Sequence, residues 1–149
     1  MELSGAVKGD TIAGTLTVTR LSGEIDASVT VQIVLAERGV LYPGKSNIII
    51  QRMVARAALT DSTKGIPFKP EGGRMTIPFS RSLAEITREN ADFLKPLEAS
   101  GAGTAQAFAT RMDPRQLTVV AFVRDAKSKK ILQAIQIDAD LPFDRVVEP

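Results

Sequence analysis

The chain has 149 residues, a length suited to one domain, and 44% of them are hydrophobic, enough for a core without metal or disulfide support. It contains no cysteine and no histidine, which excludes disulfides, thiolate or imidazole metal ligands, cysteine nucleophiles and a Ser-His-Asp triad. The net charge of +2 comes from 19 basic and 17 acidic residues mixed along the chain, with no Trp and one Tyr; neither the clustered patch nor the stacking aromatics of a nucleic-acid binder are present.

The opening "MELSGAVKGD" lacks the basic start and apolar run of a signal peptide. No segment reaches the ~20 apolar residues of a membrane helix. Strand-like alternation begins almost at once. Residues 1–149 are therefore read as one domain cut from a longer protein, with Met1 as an added start. The competing reading is the natural N-terminus of a small cytosolic protein.

In chain order, a first strand around Leu3 to Lys8 should turn at Gly9-Asp10 into "TIAGTLTVTR". There Ile12, Leu16 and Val18 share one face and Thr15 and Thr17 the other. In "ASVTVQIVLAE", Val29, Val31, Ile33 and Leu35 alternate with Thr30, Gln32, Val34 and Ala36, the pattern of a half-buried antiparallel strand. "LYPGKSN" supplies turn residues at Pro43 and Gly44. "IIIQRMVARAAL" follows; strict alternation puts Met53, Ala55, Ala57 and Leu59 on one face and Arg52, Val54 and Arg56 on the other. "DSTKGIPFKPEGG" reads as an irregular connection, and "RMTIPFS" as an edge strand because of Pro78.

One helix is predicted, begun by the capping-box spacing of Ser82 and Glu85 and stopped by Pro96. Its apolar stripe is Leu83, Ile86, Ala91, Phe93, Leu94 and Leu97. The closing stretch predicts a hairpin pairing Gln116–Arg124 with Lys130–Asp138, apolar on both faces and central in its sheet. About seven strands, one inserted helix and no βαβ alternation make the fold mainly β, an antiparallel β-sandwich.

Motifs that could carry chemistry are few. Gly101-x-Gly103 lacks a third glycine at Gln106 and follows a helix rather than opening one, so it reads as a loop. Asp138, Asp140 and Asp144 could attract Ca²⁺ or act as an acid/base pair on a glycoside. The calcium-loop pattern and the aromatic sugar platforms are missing, and a solvated strand end explains these acids. Lys127, Lys129 and Lys130 could hold an anion or acidic partner; a hydrated hairpin tip explains them equally. Arg52 and Arg56 need acceptors such as Glu37, Asp61 or backbone carbonyls if their face is covered. They are either structural or contacts for an anion or partner.

"LAERGVLYPGKSN", "VARAALTDSTKG" and "DPRQLTVVAFVRDAKSKKILQAIQI" together resemble the C-terminal immunoglobulin-like module of exported bacterial proteins. Omp28-related outer-membrane proteins and secreted thioredoxin-like proteins carry that module. Glu37, Tyr42-Pro43-Gly44, Val54-Ala55-Arg56 and Leu117 to Ala134 stand at the matching places. Two features depart from the family: no His precedes Val54, and the Cys-x-x-Cys of the thioredoxin-like part is absent.

The resemblance implies an immunoglobulin-like sandwich serving as a non-catalytic interaction or scaffolding module, without a cofactor. Its partner would be another protein or a neighbouring domain of the same parent chain, and its place periplasmic, outer-membrane-associated or secreted. The alternatives are a cytoplasmic location, an anion- or carbohydrate-binding module, and a carboxylate-based hydrolase. The binding candidates are Tyr42, Arg52, Arg56, Lys127, Lys129 and Lys130. Arg56 is expected to be held by the fold and to join its strand to the Glu37 region, through a planar fork that Lys cannot reproduce.

Overall fold

The computed structural model describes residues 1–19, 27–41, 50–61, 63–100 and 111–139. Two antiparallel sheets face each other. The smaller contains β1 (Glu2–Lys8), β2 (Thr11–Thr19) and β6 (Arg74–Ser82), in the order β1-β2-β6. The larger runs β4 (Ile50–Ala58), β3 (Val29–Leu41), β7 (Leu117–Asp125), β8 (Ile131–Asp138), with the two-residue β5 (Ile66–Pro67) pairing the start of β3. A single helix among the described residues, α1 (Leu83–Ala99), follows β6. This is the expected mainly-β sandwich with one inserted helix, and the described residues form eight strands rather than about seven. The additional strand, β5, lies inside the Gly- and Pro-rich connection, where no alternation could reveal it.

The small sheet shows how local residues set its geometry. Gly9, first of the two turn residues between β1 and β2, has φ +60, as a type II′ hairpin turn requires. Ile12, Leu16 and Val18 of β2 and Ile77 and Phe79 of β6 turn one face into the core. Gly14 sits opposite Gly5 on β1 and Phe79 on β6. A Cβ at Gly14 would lie 2.1 Å from the Ser4 carbonyl oxygen and 2.6 Å from Phe79 Cζ, so no larger residue fits. The aromatic ring fills the space that two facing glycines leave in the sheet.

β3 is the axis of the large sheet, paired along its length with β7 on one side and with β4 and β5 on the other. Val31, Ile33 and Leu35 face the core with no exposure, matched across β7 by Val119 and Ala121. Burying each large aliphatic contributes about 1.5–3 kcal/mol relative to exposure. The opposite face of β3 is also partly covered, with Gln32 and Ala36 buried.

The closing hairpin pairs Thr118↔Asp138 through Arg124↔Ile131, close to the expected register. The expectation of a central place holds for β7 alone. Among the described residues β8 is an edge strand, and Leu132 is an extra residue where the register shifts.

The alternation expected for β4 also fails at one place. Leu35 pairs Ala57 whereas Ala36 pairs Ala55, so Arg56 is an extra residue, a β-bulge. The bulge sends Ala55 and Ala57 to opposite faces of the sheet rather than to one.

Helix α1 closes the side of the sandwich between β6 and β4. Leu83 and Ile86 enter the core. The Ser82 hydroxyl accepts the Glu85 N–H at 3.1 Å, as the capping-box spacing predicts. The turn residue Asp10 adds a second cap: its carboxylate accepts the Ala84 N–H at 3.0 Å and the Ser82 hydroxyl at 2.6 Å. Two expectations for this helix are corrected. Pro96 does not stop it; the helix continues to Ala99, since a proline removes one hydrogen bond without ending the last turn. Phe93 is 74% exposed and off the packed stripe.

Asp10 thus fixes the small-sheet hairpin to the helix N-terminus. Replacing it with Ala is expected to cost about 0.5–2 kcal/mol, the range for a lost N-cap. Urea unfolding of wild type and Asp10→Ala checks this; an unchanged midpoint would show that Ser82 caps the helix unaided.

Candidate functional site

The most organised polar cluster lies at the end of the large sheet where β3 meets β4. The bulge at Arg56 brings its guanidinium onto the Glu37 carboxylate. Arg56 Nε and Nη2 donate to Glu37 Oε2 at 2.8 and 2.6 Å. Both side chains are nearly enclosed, with exposures of 6% for Arg56 and 5% for Glu37. Glu37 Oε1 accepts the Asp113 N–H at 3.1 Å, so both oxygens of the carboxylate are bonded within the fold. A buried carboxylate without such partners would be driven to its neutral form.

Asp113 opens the 3-10 turn Pro114–Gln116 that leads into β7. Its side chain accepts the Arg115 N–H, and Pro114 sits at the first turn position, where a missing N–H costs nothing. The Arg115 side chain, then its N–H, hold the Asp113 carboxyl below the usual carboxylate range. Arg38, next to Glu37 in sequence, donates to Asp138 at 2.9 Å and to the Arg115 carbonyl at 2.6 Å. Glu37, Arg56, Asp113, Arg38 and Asp138 thus join β3, β4, β8 and the entry to β7.

This arrangement braces the fold. The Glu37 carboxylate is closed off, and one oxygen of Asp138 is bonded to Arg38. Among the described residues, no group of three acidic side chains is placed to hold a metal ion. Asp140 and Asp144, the other two members of the proposed acid cluster, lie outside the described residues, as do Gly101, Gly103 and Gln106.

The sequence-derived candidates separate. Arg56 is buried on Glu37, the first of the acceptors the sequence offered. Arg52 is exposed, opposite Gly39 on β3. Tyr42 lies outside the described residues. Lys127, Lys129 and Lys130 are exposed at the tip of the β7–β8 hairpin, at the other end of β3 from Glu37.

That tip is ordered by one carboxylate. Asp125 accepts the Ser28 hydroxyl at 2.8 Å, the Ser128 hydroxyl at 2.6 Å and the Lys127 N–H at 2.9 Å. Lys129 takes the left-handed conformation with φ +63. The hydroxyl of Ser128, then that of Ser28, then the Lys127 N–H hold the Asp125 carboxyl down to about 2.

Sequence reasoning missed three of these anchors. Asp113-Pro114 carried a legible signal, an N-cap residue followed by proline. Arg38–Asp138 joins residues 100 apart and had none. The third, Arg81, bonds Glu89 on α1 at 2.8 Å and the Ala58 carbonyl at the end of β4 at 3.2 Å. A separate shallow depression on the outer face of the small sheet is lined by small residues, among them Ser4, Ala6, Ala13 and Thr15, with Lys8 at its rim. No helix among the described residues is long and apolar enough to cross a membrane.

No protein-family model and no curated protein matches the chain. Among solved structures, it is similar to a domain of the outer membrane lipoprotein Omp28 from Porphyromonas gingivalis, with a TM-score of 0.54 and 14% identity over 92% of this chain and 85% of that one. It is also similar to HBP35 of Porphyromonas gingivalis, with a TM-score of 0.63 and 14% identity over 99% of this chain and 45% of that one. The chain therefore spans less than half the length of HBP35. At such identity the likeness shows a shared fold.

The hydrogen bonds to Asp125 make a pH prediction. Its carboxyl lies below the ordinary value of 3.8 in the folded state. The stabilisation it supplies is therefore fully present above about pH 4 and is lost as pH falls through about 2. The stability difference between wild type and Asp125→Asn should be constant near neutrality and shrink on acidification. Urea midpoints over that range check this, and a difference independent of pH would contradict it.

Proposed function

We propose that the chain is a non-catalytic interaction or scaffolding module of an exported bacterial protein, working beside another domain of its parent chain or a protein partner. The observation that carries this reading is the engagement of its buried ionisable pair. Both oxygens of Glu37 are bonded by Arg56 and the Asp113 N–H, which leaves that carboxylate unsuited to abstract or deliver a proton. One oxygen of Asp138, the described acid that the carboxylate-hydrolase alternative would use, is engaged by Arg38.

The shared fold supports the setting. One neighbour is a domain of an outer membrane lipoprotein, and the other is more than twice the length this chain matches. The immunoglobulin-like assignment and the link to thioredoxin-like proteins rest on the sequence resemblance. On this reading the sandwich is a rigid support, and its hairpin ends and loops meet the partner.

Two measurements test the proposal. Fractionation of cells expressing the complete reading frame should place the product in the envelope or medium; recovery from the cytosol alone would overturn the exported setting. A panel of glycoside and ester substrates should show no turnover. Turnover abolished by Asp138→Asn in a protein that still folds would overturn the non-catalytic reading.

A further inference from the structure

We propose that the tip of the β7–β8 hairpin is a contact site for an anionic lipid surface. The proposal goes beyond the protein-partner reading and gives this one hairpin tip a different occupant. Residues 124–132 hold four basic side chains, Arg124, Lys127, Lys129 and Lys130, against one acid, Asp125. The Asp125 carboxylate is bonded inward by Ser28, Ser128 and the Lys127 N–H. The three lysines are exposed.

Directly after them, Ile131 and Leu132 are held in solvent, with exposures of 55% and 48%. In a regular strand, adjacent residues face opposite sides. Here Arg124 pairs Ile131 and Val123 pairs Gln133, so Leu132 is the extra residue of a bulge at the strand's entry. Two large aliphatics are thereby presented in solvent directly after the three exposed lysines, on a strand that is at the edge among the described residues.

Edge protection explains the lysines, which discourage strand pairing between molecules. It does not explain the aliphatic pair, which works against that purpose. A free phosphate would satisfy the lysines and leave Ile131 and Leu132 in water. An acidic protein would need an apolar pocket matched to a convex tip. A membrane interface meets both demands without a pocket. The aliphatics enter the boundary between headgroups and acyl chains, while lysine stems extend back so that their ammonium groups stay among lipid phosphates.

The test is sedimentation of the full chain with vesicles of equal parts phosphatidylglycerol and phosphatidylcholine at low ionic strength. Pure phosphatidylcholine vesicles and beads carrying poly-L-glutamate are the comparison arms. Wild type should bind the anionic vesicles and leave neutral ones largely free. Lys129→Gln with Lys130→Gln should lower partitioning roughly thirtyfold, the effect of two lysines close to an anionic surface. Ile131→Ser with Leu132→Ser should lower it at least about tenfold. Thermal melts establish that each variant is folded, and Leu132→Ser alone replaces the double variant if that one is not. The proposal is overturned if wild type does not sediment with anionic vesicles, or if the aliphatic variants bind them as well as wild type. Equal binding to poly-L-glutamate with no dependence on Ile131 and Leu132 also overturns it, and would assign the tip to an acidic polymer or protein.

Discussion

A buried carboxylate and a buried guanidinium must find each other, and in this protein much else follows from that constraint. Removing either charge from water costs several kcal/mol, and attraction offsets the cost only where geometry is good and the remaining lone pairs are bonded. Glu37 meets both conditions through Arg56 and the Asp113 N–H. Three segments distant in sequence are fixed by this one carboxylate. β3 supplies it, β4 must bulge to deliver Arg56, and the approach to β7 must place Asp113 beside it.

The rest of the sandwich is closed by more exposed polar anchors around an apolar centre. Asp10 fixes the first hairpin to the helix N-terminus. Arg81 reaches from β6 to Glu89 and to the Ala58 carbonyl, tying the helix to both sheets. Isolated exposed ion pairs contribute at most about 1 kcal/mol, and Arg81–Glu89 and Arg38–Asp138 sit partly in solvent. The enclosed Glu37–Arg56 pair is different in kind, because breaking it would leave a charge unpaired in the interior. Polar chemistry in this fold is thus directed inward at one end of β3. Cations and aliphatics remain exposed at the other end, on the β7–β8 hairpin. That division suits a rigid module that presents a surface.

Period-two alternation made most strands legible, and short-range signals such as Gly9-Asp10 and Ser82…Glu85 placed a turn and a helix start. The sequence points Arg56 to a structural role, with Glu37 among its acceptors. The bulge that unites them was not readable. "MVARAAL" alternates equally well with or without an extra residue, and only the pairing of Leu35 with Ala57 and Ala36 with Ala55 reveals it. β5 was hidden by its two-residue length. The edge position of β8 was hidden because its apolar composition matches that of a central strand, although Ile131 and Leu132 are in solvent. Long-range contacts such as Arg38 with Asp138 have no local signature at all. Pro96 misled because a proline near a helix end removes one hydrogen bond and is tolerated there.

The most direct measurement is a double-mutant cycle on the brace, using urea unfolding of Glu37→Gln, Arg56→Met and the double variant. Arg56→Met alone strands a buried carboxylate and should cost about 3–5 kcal/mol. If the two side chains act as one unit, the double variant should lose much less than the sum of the singles, with a coupling of about 2 kcal/mol or more. Additivity of the two single losses to within about 0.5 kcal/mol would contradict the claim that the fold is built around this pair.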